Sequence, residues 1–102
     1  MSIVNCAIIL GTARSERKTE QVARYIESRL AQRDDIETTF IDVKDHTASA
    51  TVPPWQDENT TPRFADEIKA ADCFCMVVPE YNHGYPGEFK LFLDSMFEEF
   101  FD

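Results

Sequence analysis

The chain has 102 residues and a formal net charge of −9 at pH 7, which bounds it to one domain and argues against nucleic acid, a partner that needs a basic stripe. Its 43% hydrophobic and 12% aromatic content excludes an intrinsically disordered class. No apolar run reaches the roughly 18 residues of a membrane span, and "MSIVNCAIILG" has neither the basic start nor the cleavage site of a secretory signal, so a cytoplasmic protein with no membrane contact is expected.

Residues 3–10, "IVNCAIIL", are a nearly unbroken run of β-branched and aliphatic residues, which predicts a strand buried on both faces, as in a parallel sheet. Gly11 ends it. From Thr19, a suitable N-cap, the period turns helical, with Val22, Ile26 and Leu30 recurring at i, i+4 and i+8 and Ala23 beside them. Asp34 and Asp35 make a turn, and residues 36–43, "IETTFIDV", have the β-branched and aromatic content of a second strand. Residues 44–62 form a polar connection with three prolines, too long for an ordinary link and expected to serve function or a partner. Trp55 within it reads as an anchor, a lid or part of a dimer contact.

Residues 63–72 predict a short helix with Phe64 and Ile68 on one face, and residues 73–78, "CFCMVV", a third buried strand. Residues 87–101 predict an amphipathic helix on Phe89, Phe92, Leu93, Met96 and Phe100, with Pro86 as its start signal. Leu91, Phe97 and Phe101 add apolar surface off that stripe, which points to a subunit contact or to further chain downstream. Cys6, Cys73 and Cys75 all lie in strand-like runs and are expected to be small buried hydrophobes in a reducing compartment. With His46 and His83 they match no metal-ligand spacing, so no metal is expected.

The order β-α-β-loop-α-β-α, with helical crossovers, predicts a parallel sheet with right-handed connections. In such sheets ligands bind beyond the carboxyl ends of the strands. Two segments fall there: "GTARSERKT", residues 11–19, and "PEYNHGYPG", residues 79–87. Residues 1–33 carry six Lys and Arg against three Asp and Glu, whereas residues 34–102 carry four against sixteen, so positive charge gathers in the first segment at Arg14, Arg17 and Lys18. That cluster is either a solvated helix start or a site for a small anion. The segment has neither G-x-x-x-x-G-K-S/T nor G-x-G-x-x-G, which argues against both an NTPase loop and a dinucleotide fingerprint. It does supply the hydroxyls of Thr12, Ser15 and Thr19, the forked donor of Arg14 and a helix N-terminus, all suited to a terminal phosphate. The second segment offers a flat aromatic in Tyr81, an amide in Asn82 and, in Gly84, close backbone approach to a planar ring. A phosphate site beside a ring site describes a mononucleotide.

"GTARSERKTEQVARYI" followed by "PEYNHGYPGEFKLFLDS" resembles the NADPH-dependent FMN reductase family, flavodoxin-like proteins with signatures near G-S-x-R-x-x-S and P-E-Y-N-x-x-x-P-G-x-L-K-x-x-L-D. Pro79, Glu80, Tyr81, Asn82, Pro86, Gly87, Lys90, Leu93 and Asp94 stand at positions of the second pattern. In the first, Gly11 and Arg14 fit, Thr12 replaces serine, and Arg17 stands where a hydroxyl residue is common. The resemblance implies FMN as cofactor and NAD(P)H as co-substrate, with Gly11, Thr12, Arg14, Arg17, Lys18 and Thr19 around the phosphate. It implies that Pro79, Glu80, Tyr81, Asn82, His83 and Gly84 line the isoalloxazine edge, with no side chain assigned a catalytic role. The expected fold class is α/β, a flavodoxin-like three-layer parallel sheet over residues 1–102 that stops after the third of five strands and its helix. The expected function is transfer of hydride from a nicotinamide to FMN and of electrons to a small-molecule acceptor, by a homo-oligomer. The competing expectation is a non-enzymatic, truncated domain that assembles through its open sheet edge and last helix.

Overall fold

A computed structural model describes residues 2–45, 64–82 and 84–95. Three strands, β1 (Val4–Leu10), β2 (Ile36–Asp42) and β3 (Cys73–Val77), form one sheet in the order β2-β1-β3. Both pairings are parallel: Val4 faces Ile36 and Leu10 faces Asp42, while Cys6 faces Cys73 and Leu10 faces Val77. The helices are α1 (Thr19–Leu30), α2 (Ala65–Ala70) and α3 (Gly87–Ser95), and a single 3-10 turn, Val43–Asp45, follows β2. This is the α/β architecture expected, with the strand order that begins a flavodoxin-like sheet.

Parallel pairing and the two-residue alternation of side chains divide β1 between two cores. Cys6, Ile8 and Leu10 pack with Ala23 of α1 on one face, joined by half-buried Ile26, Leu30 and Phe40. Ala7 and Ile9 pack on the other face with Ile41, Val43, Ile68, Phe89 and Phe92. Cys6 through Leu10 are therefore all buried, which is why that stretch of sequence shows no polar alternation.

Several boundaries and faces differ from the sequence expectation. Thr19 is the first helical residue of α1; Lys18 occupies the N-cap position without a side-chain cap. The buried stripe of that helix runs through Ala23, Ile26 and Leu30, and Val22 is 53% exposed. Ala23 is small enough to let the helix lie close on β1, and that contact sets the rotation which turns Val22 outward. Val43 leaves β2 for the 3-10 turn and stays buried. The second helix begins at Ala65, with Phe64 at φ 73° in the left-handed region. That conformation is costly for a bulky residue; the Phe64 carbonyl accepts the Ile68 N–H at 3.0 Å, and its ring meets Phe92 edge to face at 6.4 Å.

The larger correction concerns β3, which is not buried on both faces. Phe74 and Met76 are 36% and 41% exposed, and Cys73 is exposed as well. β3 lies at the edge of the sheet, with β1 on one side and no further strand among the described residues on the other. Cys6 is the buried thiol and Cys75 is intermediate, so the expectation of three buried cysteines holds for the central strand and fails at the edge. Burial pushes the Cys6 thiol up to about 11, aided by its hydrogen bond with Cys73 and the charges of Cys73 and Cys75. The long connection with His46 and Trp55, the turn residue His83, and Met96, Phe97, Phe100 and Phe101 of the expected last helix lie outside the described residues.

Candidate functional site

β1 and β3 are neighbours, so the segments that leave their carboxyl ends meet, and the Gly11 N–H donates to the Val77 carbonyl at 2.9 Å. Gly11 sits against Val78 and against Phe89 of α3. A Cβ there would sit 2.8 Å from Phe89 Cδ1 and 2.9 Å from Val78 Cγ2, closer than packed atoms tolerate. The glycine thus lets the first loop start over the N-terminal turn of α3.

Thr12 comes next and is fully buried. Its Oγ1 lies 3.2 Å from the Tyr81 hydroxyl, donates to Glu88 Oε1 at 3.4 Å, and accepts the Arg14 N–H at 3.3 Å. A hydroxyl has a single proton; when Thr12 directs its own toward the Glu88 carboxylate, the Tyr81 hydroxyl is the donor to Thr12. The Ala13 N–H donates to the same Glu88 oxygen at 3.1 Å. Arg14 is exposed and places its guanidinium 5.3 Å from the centroid of the Tyr81 ring, within the range of a cation–π contact.

Arg17 points elsewhere. Its Nη1 donates to the Thr12 carbonyl at 2.7 Å and to Asp42 Oδ1 at 2.8 Å, Nη2 pairs with Asp42 Oδ2, and Nε and Nη2 reach Glu20 Oε1 at 3.4 and 3.3 Å. The Arg17 and Asp42 side chains are only 5% and 9% exposed. Burial works to lower the Arg17 pKa, but the hydrogen bond and charge of Asp42, then Glu20, outweigh it and hold the group above its ordinary value. Asp42 also accepts the Lys44 N–H at 3.1 Å. The fork of Arg17 therefore ties the first loop to the end of β2, with its donors spent on protein acceptors.

The second loop closes on itself: the Tyr81 N–H donates to the Gly84 carbonyl at 2.7 Å and the Gly84 N–H to the Tyr81 carbonyl at 3.0 Å. Asn82 takes φ 53°, a left-handed conformation that asparagine adopts more readily than most residues. Buried Pro86 then accepts the N–H groups of Phe89 and Lys90 as α3 begins.

Between the loops lies an open cleft of about 760 Å³ lined by Ala13, Arg14, Glu80, Tyr81, Asn82 and Glu88, a volume in the range of small-molecule sites. Of the residues singled out in the sequence, Arg14, Glu80, Tyr81 and Asn82 line this cleft, with Thr12 below and Gly11 behind. Pro79 and Gly84 are half-buried beside it. Lys18 is exposed and Thr19 half-buried at the start of α1, and Arg17 faces Asp42.

Glu88 and Asp42 were missed. Glu88 follows Pro86-Gly87 and reads as an acidic residue in a first helical turn, favourable there on its own account. Asp42 reads as the polar end of a strand. Only the register, which sets Asp42 beside Leu10, shows that it shares the carboxyl end with the loops.

The profile of the NADPH-dependent FMN reductase family matches residues 4–102. The chain is 31% identical over 96 residues to a quinone reductase of Pseudomonas putida, an alignment covering 90% of this chain and 49% of the relative. It is 26% identical over 100 residues to an NAD(P)H-dependent FMN reductase of Schizosaccharomyces pombe, covering 90% of this chain and 50% of that one. Among solved structures, FerB, a flavoenzyme NAD(P)H:acceptor oxidoreductase of Paracoccus denitrificans, superposes with a TM-score of 0.64 at 23% identity, over 91% of this chain and 50% of that chain; at that identity the likeness concerns the fold. The chain thus spans about half the length of the relatives it matches. With the parallel α/β sheet and the two loops at its carboxyl edge, the match over residues 4–102 means that the chain belongs to the NADPH-dependent FMN reductase family.

Proposed function

We propose that the cleft between the two loops holds FMN and that the protein is an NAD(P)H-dependent oxidoreductase. The observation that carries this reading is the Ala13 N–H and Thr12 hydroxyl directed at an anionic oxygen, that of Glu88, beside the exposed Arg14 guanidinium and the Tyr81 ring. The donor set is that of an anion site, and the aromatic beside it suits a planar ring, so the residues present fit a flavin mononucleotide.

Thr12, the Ala13 N–H, Arg14, Lys18 and Thr19 would hold the phosphate, and Pro79 through Gly84 would line the isoalloxazine edge. Arg17 would act from behind, fixing the loop through Asp42 and the Thr12 carbonyl. FMN, when bound, supplies the redox chemistry, taking hydride from a nicotinamide and passing electrons to a second substrate. The chain's part is to bind, orient and exclude water, and no side chain is assigned a proton-transfer role. The acceptor is a small molecule such as a flavin or quinone, the latter class being named for the Pseudomonas putida relative.

We place the protein in the cytoplasm as a homo-oligomer. None of the described helices is long and apolar enough to cross a membrane. Exposed Phe74 and Met76 on β3 favour assembly through this edge, which also supports the second reading, a domain that assembles without turning over. The test is the absorbance spectrum of the protein with added FMN after gel filtration. Flavin bands co-eluting at about one per chain, bleached by NAD(P)H, are expected; a colourless protein of oligomeric mass would move the second reading ahead.

A further inference from the structure

Two carboxylates line the cleft, those of Glu80 and Glu88, and Glu88 has the more specific placement. It reaches from the first turn of α3 to the loop after β1, where Oε1 accepts the Ala13 N–H at 3.1 Å and lies 3.4 Å from the Thr12 hydroxyl. These are the donors a phosphate oxygen would use, and a single N–H cannot fully serve two anionic acceptors. With both present, two anionic groups meet in one cleft, and few cations lie near enough to offset them. Arg17 is committed to Asp42 and Glu20; among the described residues lining the cleft the cation is Arg14, above the Tyr81 ring, with Lys18 exposed at the start of α1. Glu88 stands at the x of P-G-x-L-K, a position that the signature leaves open.

We propose that Glu88 is a built-in competitor for the phosphate group of the flavin: its carboxylate occupies the donors of the loop after β1, has to leave them when phosphate binds, and thereby sets how strongly the protein prefers phosphorylated over unphosphorylated flavin. The inference rests on the flavin reading of the cleft and names the residue that tunes it. Removing the carboxylate frees the Ala13 N–H and the Thr12 proton and removes one negative charge. Phosphorylated flavin gains on both counts, and a flavin without phosphate gains on neither.

The test compares FMN and riboflavin affinities by flavin fluorescence for the wild type, E88Q and E88A, with circular dichroism to establish folding. FMN is expected to tighten about tenfold in E88A and less in E88Q, whose amide oxygen can still accept from Ala13, while riboflavin changes less than about twofold. Unchanged or weaker FMN binding in both folded variants would overturn the proposal, and so would equal tightening of FMN and riboflavin, which would make Glu88 an obstruction and not a competitor. If the wild type binds neither flavin, the cofactor reading falls, and the competition is decided separately by titrating inorganic phosphate against the Ala13 amide resonance. Saturation at lower phosphate in E88A than in the wild type supports the competitor; identical curves overturn it.

Discussion

The two loops of the cleft are held in different ways. The first is braced from three directions: Gly11 by Val77, Thr12 by Tyr81 and Glu88, and Arg17 by Asp42 and Glu20. It rises from β1, whose last five residues are buried on both faces. The second rises from the sheet edge, where Phe74 and Met76 are exposed, closes through the Tyr81–Gly84 bridge and meets the first through Tyr81. The phosphate side of the proposed site is thus preorganised by the fold, while the ring side rises from a strand with exposed apolar side chains. Preorganised donors cost little ordering entropy on binding, and an exposed apolar strand is the kind of surface that another chain covers.

The difference can be broken most forcefully at the Arg17–Asp42 pair. Replacing Asp42 by Ala leaves a nearly buried guanidinium without its main partner, a change that typically costs about 3–5 kcal/mol. Urea denaturation of Asp42→Ala should show a loss of that order, and a loss below about 1 kcal/mol would mean that the brace contributes little. Ile9→Ala is expected to cost about 2–5 kcal/mol, because Ile9 is fully buried in the central strand. Met76→Ala at the exposed edge should cost below about 1 kcal/mol in the same titration; equal losses would erase the contrast between centre and edge.

Thiol chemistry sharpens the same contrast. Cys73 is exposed and Cys6 buried, so an alkylating reagent near neutral pH should label Cys73 first and Cys6 last, as mass spectrometry of timed samples would reveal. The sign of the pH effect follows from the raised Cys6 thiol. Its pKa moves from 9.0 to about 11 on folding, so between these values the folded chain holds a proton the unfolded chain has lost. Cys6 therefore contributes stability that is fully present below about pH 9 and lost as pH rises toward about 11. Cys6→Ser should flatten that alkaline decline, and an unchanged slope would assign it to other groups.

The smallest effect belongs to Arg33 and Asp35 on the surface. The hydrogen bond from Arg33 holds the Asp35 carboxyl below its ordinary value, so its contribution is present above the unfolded pKa and fades as pH falls through the folded one. Both groups are exposed to solvent, where an ion pair stabilises little. Arg33→Ala should move the Asp35 titration upward in carbonyl-detected NMR while leaving the denaturation midpoint within experimental scatter. A clear shift in that midpoint would show that the pair does more than this exposure allows.

Much of this organisation was legible in the sequence, for reasons that differ from element to element. The run from Cys6 to Leu10 announced a doubly covered central strand, because an apolar residue on each face leaves no polar alternation. The Pro79–Asn82 and Pro86–Gly87 patterns marked the second loop and the start of α3, where turn chemistry is local. The exposure of Val22 was not legible, since helical periodicity defines a stripe but not its rotation against Ala23 and the sheet. Nor was the exposed face of β3, because "CFCMVV" reads as buried whatever lies beside it. The site divides the same way: Thr12, Arg14 and Tyr81 stood out by type and position, while Glu88 and Asp42 resembled ordinary polar residues at element ends.

The sequence by itself determined the family, the alternation of strands and helices, and the two loops at the carboxyl edge, all of which rest on residues close in the chain. Tertiary structure decided which charges those loops keep. Arg17 and Asp42 are 25 positions apart and Ala13 and Glu88 are 75 apart, and nothing in local propensity links such pairs. Parallel pairing brings Asp42 beside the loop after β1, and the close approach at Gly11 brings the first turn of α3 onto it. One cation is thereby committed to the fold, and one carboxylate is placed on the donors that an anionic ligand would need.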